Sequence, residues 1–111
     1  MKKIMKVITA VMLLVSLVLP LSNAKALTTL ESIKEKGQLV VGTSADYPPF
    51  EWISIEAGQE EIIGADIDLA QKIADEIGVE LVIENMGFDG LIPSLKTNRV
   101  DILIAGMGYT E

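Results

Sequence analysis

The chain has 111 residues, half of them hydrophobic, and a formal net charge of −7 at neutral pH. This length suits at most one small domain. The sequence contains no histidine and no cysteine, which excludes disulfides, a His-based catalytic triad and the usual ligands of zinc and copper. The composition therefore predicts neither a metal nor a cofactor. Its acidic balance argues against a nucleic-acid partner, because nucleic-acid binding needs a basic face.

The N-terminus has the pattern of a secretory signal peptide. Three lysines within the first six residues precede an apolar run over residues 7–21. That run of about 15 residues is shorter than the ~20 residues that span a bilayer, and small residues follow it at alternate positions. Residues 1–24 are therefore predicted to be a signal peptide, with cleavage after Ala24 or Ala26. An uncleaved membrane anchor is the alternative. Cleavage would place residues 25–111 in the periplasm or outside the cell.

Hydrophobic periodicity predicts alternating helices and strands after this segment. Thr28 and Glu31 have the spacing of a capping box, and Gly37 lies where a helix would stop. The strand that follows is apolar on both faces, as in a parallel sheet. The first predicted elements are a helix at Thr29–Lys36, a strand at Leu39–Thr43, a loop at Ser44–Pro49, and a hairpin of Phe50–Ile55 with Glu61–Ile63 across a turn over 56–60.

The same alternation continues in the second half of the chain. Asp66 or Asp68 is expected to cap a helix that Gly78 ends, and Asp89 is expected to cap a later helix. The later elements are a strand at Val79–Glu84, a turn at Met86–Asp89, a helix with the stripe Leu91, Ile92 and Leu95 that Asn98 closes, and a strand at Val100–Ala105. The order strand, helix, strand, helix, strand predicts two βαβ units and a parallel sheet.

In open α/β sheets, ligands bind beyond the carboxyl ends of the strands. Three loops should lie there: Thr43–Phe50, Met86–Asp89 and Ala105–Glu111. Tyr47 and Phe88 could hold a ligand between their faces, although filling the core is an equal alternative. Glycines in the third loop would let the main chain approach a ligand, or they are simply turn glycines. The candidate ligand-binding residues are Ser44, Tyr47, Phe50, Phe88, Ala105, Gly106 and Gly108.

Five segments, taken in order and spacing, resemble solute-binding proteins of the polar amino-acid class, family 3. The resemblance covers the chain from about Gly37 to Glu111. The segments are Leu39-Val40-Val41-Gly42-Thr43, Tyr47-Pro48-Pro49-Phe50-Glu51, Gly64-Ala65-Asp66-Ile67-Asp68-Leu69-Ala70, Leu91-Ile92-Pro93-Ser94-Leu95, and Val100-Asp101-Ile102 with Ala105-Gly106-Met107.

This resemblance implies the two-lobed, type 2 fold of periplasmic binding proteins. Such proteins close around a free amino acid by hinge motion and deliver it to the membrane permease of an ABC importer. Residues 25–111 would then be the N-terminal part of the first lobe, and the chain would be a fragment that stops where the second lobe begins. The full-length protein is expected to be a monomer without enzymatic activity.

The resemblance also implies roles for individual residues. Ser44 would bond the ligand's ammonium or side chain, with Tyr47 and Phe88 as aromatic walls. The main chain of Gly106 and Gly108 would hold the ammonium and carboxylate. Gly108 departs from the serine or threonine usual in the family, and the arginine that clamps the ligand carboxylate would follow the last residue. This chain alone is therefore expected to bind amino acids weakly or not at all.

Two other functions are compatible with the same scaffold. One is a periplasmic dehydratase acting on prephenate-like acids, which would need a general acid over its substrate. Asp46 is the acidic side chain at a plausible place, although it is expected to be exposed. The other is a binding module fused to a sensor or permease. Within the binding-protein interpretation, cationic, amide and small neutral amino acids all remain open as ligands.

Overall fold

The computed structural model describes residues 1–4 and 29–108. Residues 5–24 of the predicted signal peptide, Thr28 of the predicted capping box, and the loop beyond Gly108 lie outside the described residues. Within the described ranges, no helix is both long enough and apolar enough to cross a membrane.

Helices and strands alternate along the described chain much as the hydrophobic pattern predicts. In order, they are α1 (Thr29–Lys36), β1 (Gln38–Thr43), β2 (Asp46–Tyr47), β3 (Glu51–Glu56), β4 (Gln59–Ile63), α2 (Ala65–Ile77), β5 (Glu80–Asn85), a short 3-10 helix (Phe88–Gly90), α3 (Leu91–Lys96) and β6 (Ile102–Leu103).

The central sheet has the strand order β5-β1-β6, and both pairings are parallel. Strand β1 pairs with β5 from Gln38↔Glu80 to Thr43↔Asn85, and with β6 at Val41↔Ile102 and Gly42↔Leu103. The prediction of two βαβ units in a parallel sheet is therefore confirmed. Because parallel strands end on the same side, the loops after β1, β5 and β6 meet at one edge of the sheet.

The core lies between this sheet and the two longer helices. Leu39 and Val41 of β1 are fully buried against Ile33 of α1 and against Ala70 and Ala74 of α2. The two alanines are four residues apart and share one helix face, so their small side chains let α2 approach the sheet closely. The position of α2 matters for the site because its first turn lies beside the binding loops.

A second, antiparallel sheet of order β2-β3-β4 extends from the first binding loop. Its hairpin turn is tighter than predicted: only Ala57 and Gly58 separate the strands, and both have positive φ, 51° and 77°. Positive φ at both central residues fits a type I′ turn, whose twist matches that of paired strands. The Ser44–Pro49 loop also contains the short strand β2, which the sequence did not predict because its pairing depends on β3.

Both expectations of helix capping by aspartate are wrong. The N-cap of α2 is Gly64, and no side chain caps it. Its φ is 135°, and a Cβ there would collide with the Phe50 carbonyl, so contact with β3 leaves room for glycine alone. Asp66 and Asp68 lie inside the first turn instead, where a negative charge favours the helix dipole. Asp89 belongs to the 3-10 helix that precedes α3.

The last predicted strand is shorter than expected. Only Ile102 and Leu103 of the predicted Val100–Ala105 strand are in β6, which pairs with β1 along one edge. Val100 lies outside the strand, since its N–H donates to the Ser94 carbonyl of α3. Asn98 has a left-handed conformation, with φ 57°, in the connection after α3, consistent with its predicted role of closing that helix.

Asp101 anchors the entry to β6. Its Oδ2 accepts a hydrogen bond from the Val40 N–H at 2.8 Å, and its Oδ1 lies 2.7 Å from the Lys36 ammonium. Its own N–H donates to the Val40 carbonyl at 2.8 Å. The side chain thus joins β6, β1 and α1 at the amino end of the sheet.

Asp101→Ala should lower the free energy of unfolding by about 1–3 kcal/mol, because the Val40 N–H loses its acceptor. Urea denaturation followed by circular dichroism measures this. The matched control is Arg99→Ala, which breaks an exposed contact with Glu84 at 3.2 Å and should cost less than about 1 kcal/mol. Equal losses in the two variants would contradict the anchoring role.

Candidate ligand-binding site

The three predicted binding loops are joined by hydrogen bonds at the carboxyl edge of the parallel sheet. The Ala45 N–H donates to the Asn85 side-chain oxygen at 2.9 Å, and the Met86 N–H donates to the Thr43 carbonyl at 3.0 Å. On the other side of β1, the Ile104 N–H donates to the Gly42 carbonyl at 3.1 Å. The loops after β5 and β6 are thereby held on either side of the loop after β1.

A pocket of about 140 Å³ opens between these loops. It is smaller than the roughly 300–1,000 Å³ typical of ligand sites, so the described residues form one wall for a ligand. The lining residues are Ser44, Asp46, Tyr47, Glu51, Phe88 and Gly106.

Several residues predicted from the sequence come together in this pocket, and others do not. Those that line it are Ser44, Tyr47, Phe88 and Gly106. Phe50 instead stacks against Tyr47, with ring centroids 5.3 Å apart and an angle of 27° between the planes. Ala105 and Gly108 flank the loop that carries Gly106 but are not among the lining residues.

The two aromatic rings of the pocket are available to a ligand. Tyr47 is 53% exposed and Phe88 is 50% exposed, so neither fills the core. Tyr47 is held by the stacked Phe50 ring, and the Phe50 N–H donates to the Tyr47 carbonyl at 2.9 Å. Half-exposed rings held in place at a pocket offer flat faces to a planar or cationic group.

Gly106 is more than a turn residue, because the Tyr47 ring lies against its main chain. A Cβ at this position would be 2.7 Å from Tyr47 Cδ1 and 2.9 Å from Cε1. Its N–H also donates a hydrogen bond to Glu51 Oε1 at 3.1 Å. The absence of a side chain therefore lets the third loop come into contact with the first.

Glu51 is the residue of this site that the sequence analysis missed. It is only 1% exposed, although it is a carboxylic acid. Oε1 accepts the Gly106 hydrogen bond, whereas Oε2 has no donor within the part of the chain that the structure describes. The available clue was its position between two aromatic residues, Phe50 and Trp52, at the start of a hairpin.

The pKa of Glu51 is raised from 4.5 to about 7, chiefly by burial. A hydrogen bond to the Asp66 carboxyl in the first turn of α2 and the negative charges of Asp66 and Asp46 contribute to this rise, while the Gly106 N–H opposes it. Glu51 is therefore partly protonated at neutral pH. A proton on Oε2 would turn this unpaired oxygen into a donor.

Ser44 and Asp46 complete the polar part of the wall. Ser44 is 4% exposed as a whole residue, and its hydroxyl lies 3.4 Å from Asp46 Oδ1, which is a long hydrogen bond. Asp46 is exposed, as expected. Over residues 1–4 and 29–108, no group of three or more acidic, histidine or cysteine side chains could hold a metal ion.

Comparison with known sequences identifies the family of this chain. The family model for bacterial extracellular solute-binding proteins, family 3, matches residues 39–111. The chain belongs to this family, which confirms the resemblance of its motifs. A probable ABC transporter arginine-binding protein of Chlamydia trachomatis is 42% identical over 73 residues, which cover 66% of this chain and 27% of that protein. The chain thus spans about a quarter of that relative's length.

Two solved structures share the fold. An amino acid ABC transporter substrate-binding protein from Streptococcus pneumoniae, bound to L-arginine, has a TM-score of 0.73 and 49% identity, covering 77% of this chain and 35% of that chain. The arginine-bound form of domain 1 from TmArgBP of T. maritima has a TM-score of 0.68 and 52% identity, covering 78% of this chain and 64% of that chain. These similarities confirm the expected type 2 fold class.

Gly106→Ala should displace the Tyr47 ring, because the new Cβ would overlap it. We expect the aromatic NMR resonances of Tyr47 to shift and its nuclear Overhauser contacts with Phe50 to weaken. Gly87→Ala is the control: φ there is −59°, and a Cβ meets nothing within 4 Å. Tyr47 resonances that stay in place in Gly106→Ala, or move equally in both variants, would contradict this close approach.

Proposed function

We propose that this chain is part of an extracytoplasmic substrate-binding component of an ABC importer, and that its pocket binds a free polar amino acid, with arginine as the first candidate. The observation that carries the proposal is the composition of the wall. Two half-exposed aromatic rings lie beside two carboxyl groups at the carboxyl edge of the parallel sheet.

This wall suits a flat cation. A guanidinium group between the faces of Tyr47 and Phe88 would gain roughly 0.5–2 kcal/mol from cation–π contact. Asp46 and Glu51 line the same pocket, and they would supply negative charge toward such a group. No lysine or arginine is among the lining residues, so the wall has no basic group that would repel the cation. The arginine-binding relatives support the same choice of ligand.

The α-amino and α-carboxylate groups of the ligand need partners at the other end of the pocket. The buried Ser44 hydroxyl, whose hydrogen bond to Asp46 is long, is one candidate. The Gly106 N–H already donates to Glu51, so we propose that its carbonyl oxygen accepts from the ammonium. Phe50 would act by holding Tyr47, and the main chain of Ala105 and Gly108 remains a proposed contact for the carboxylate.

The family is extracytoplasmic by its description, and the rest of the assignment follows from it as a proposal. We propose that residues 1–24 are a signal peptide, that residues 25–111 belong to the first lobe, and that the complete protein acts as a monomer. Its proposed macromolecular partner is the membrane permease of an ABC importer. The named relatives are binding proteins, which favours capture of an amino acid over the dehydratase alternative.

The arginine-bound form of domain 1 from TmArgBP bears on the affinity expected of this chain. In that protein a single domain is found with arginine, and this chain covers 64% of it. We therefore propose that the pocket wall described above retains weak but measurable binding. A dissociation constant on the order of 1 mM, or about −4 kcal/mol, would fit a site with one wall.

Arginine should shift the NMR resonances of Tyr47, Phe88 and Gly106. Phe88→Ala should weaken arginine binding by about 2- to 30-fold, because the variant loses one cation–π contact. Ile92→Ala is the control, because Ile92 is 49% exposed, like Phe88, but lies on α3 away from the pocket. Equal weakening in both variants, or tighter binding of glutamate than of arginine, would contradict the proposal.

A further inference from the structure

The buried carboxyl of Glu51 supports an inference that rests on the proposed function and makes it more specific. We propose that Glu51 selects cationic ligands by proton exchange: without ligand, Glu51 holds a proton that it can donate to the Asp66 carboxyl, and a cationic amino acid displaces that proton into solvent when it binds. Glu51 would then be a specificity-determining residue, and Asp66 a positioning residue that acts through it.

The surroundings of Glu51 favour its protonated form when no ligand is bound. The side chain is 1% exposed, and the Gly106 N–H, at 3.1 Å from Oε1, is its one donor among the described residues. A buried carboxylate oxygen without a partner is unfavourable. Protonation of Oε2 removes the charge and creates a donor that can reach the Asp66 carboxyl.

The charged surroundings of Glu51 act in the same direction. Asp66 faces it from α2, Asp46 faces it from β2, and the third loop contributes only the Gly106 N–H dipole. Tyr47, directly opposite Glu51 in the β2–β3 register, adds a phenol. No basic side chain contributes to the shift, which brings the pKa of Glu51 to about 7. Among the described residues, Glu51 therefore has two acidic neighbours and no counter-ion.

A cationic ligand would supply that counter-ion. Because Glu51 lines the pocket, a cation there favours its carboxylate form and lowers its pKa. The number of bound protons then falls on binding, so linkage requires the affinity for the cation to rise with pH. One proton allows at most about a tenfold gain per pH unit below pH 7, and the gain levels off above it. A neutral ligand does not favour the carboxylate form of Glu51, so binding of such a ligand should not release this proton.

The test is an NMR titration of the purified protein with L-arginine and with L-citrulline at pH 5.5 and pH 8. Citrulline has the shape of arginine but a neutral end group. We expect arginine to bind about 10- to 30-fold more tightly at pH 8, and citrulline to change by less than about 2-fold. In the ligand-free protein, the Glu51 carboxyl carbon should titrate near pH 7, and saturating arginine should lower that midpoint.

Glu51→Gln imitates the protonated form, since its amide oxygen can accept from Gly106 and its amide group can donate to Asp66. Arginine affinity in this variant should stay near its low-pH value at both pH values. Glu56→Gln, at the exposed end of the same strand, is the matched control and should keep the full pH dependence. If Glu51→Gln does not fold, Asp66→Asn tests the same pair, because it should lower the Glu51 midpoint and strengthen arginine binding at pH 5.5.

The outcomes separate this inference from the proposed function. Arginine binding of the same affinity at both pH values would overturn proton exchange and leave the amino-acid site in place. Full pH dependence in Glu51→Gln would assign the proton to another group, and would also overturn it. If no amino acid binds at either pH, the proposed function fails, and the inference fails with it.

Discussion

Strand β1 is hydrogen-bonded along both of its edges, and this double pairing brings the three loops of the candidate site together. It pairs over six residues with β5 and at two positions with β6, and all three strands run in the same direction. Parallel strands end on the same side of a sheet. Residues as distant in sequence as Ser44, Phe88 and Gly106 therefore line one pocket. The requirement for close packing around β1 is visible at Gly42, where a Cβ would lie 2.8 Å from Leu103.

Glu51 connects this parallel sheet to the antiparallel hairpin. It begins β3, yet its side chain holds the main chain of Gly106 beyond the end of β6. The Tyr47 ring lies on the same glycine. Gly106 of the third loop therefore contacts both Tyr47 and Glu51. The site is thus held by a buried polar contact as well as by packing. The ionisation of Glu51 would therefore affect both the charge and the position of the pocket wall.

Local patterns in the sequence predicted the elements whose boundaries are set locally. Helix α1 matches its prediction because a hydrophobic stripe and a glycine define it. The strands β1 and β5 are apolar runs that end at loops, and they lie within a residue of where they were expected. The loop positions and the family resemblance made Ser44, Tyr47, Phe88 and Gly106 candidate ligand contacts, and these four residues line one pocket.

The features that the sequence did not reveal depend on contacts between distant residues. Glu51 and Gly106 are 55 positions apart, and the aromatic residues beside Glu51 do not reveal that it pairs with a distant main-chain N–H. Gly64 replaces aspartate as the cap of α2 because the Phe50 carbonyl occupies the space of a side chain. The Phe50 ring stacks on Tyr47 and does not line the pocket. The composition of the loop does not predict which of these two positions the ring takes.

The most direct test of a one-sided amino-acid site at the carboxyl edge of the sheet is a crystal structure of this protein grown with saturating L-arginine. The guanidinium group should lie between the rings of Tyr47 and Phe88, with the ammonium near Ser44 and the Gly106 carbonyl. Arginine bound at any other surface, or an empty pocket at saturation, would contradict this account.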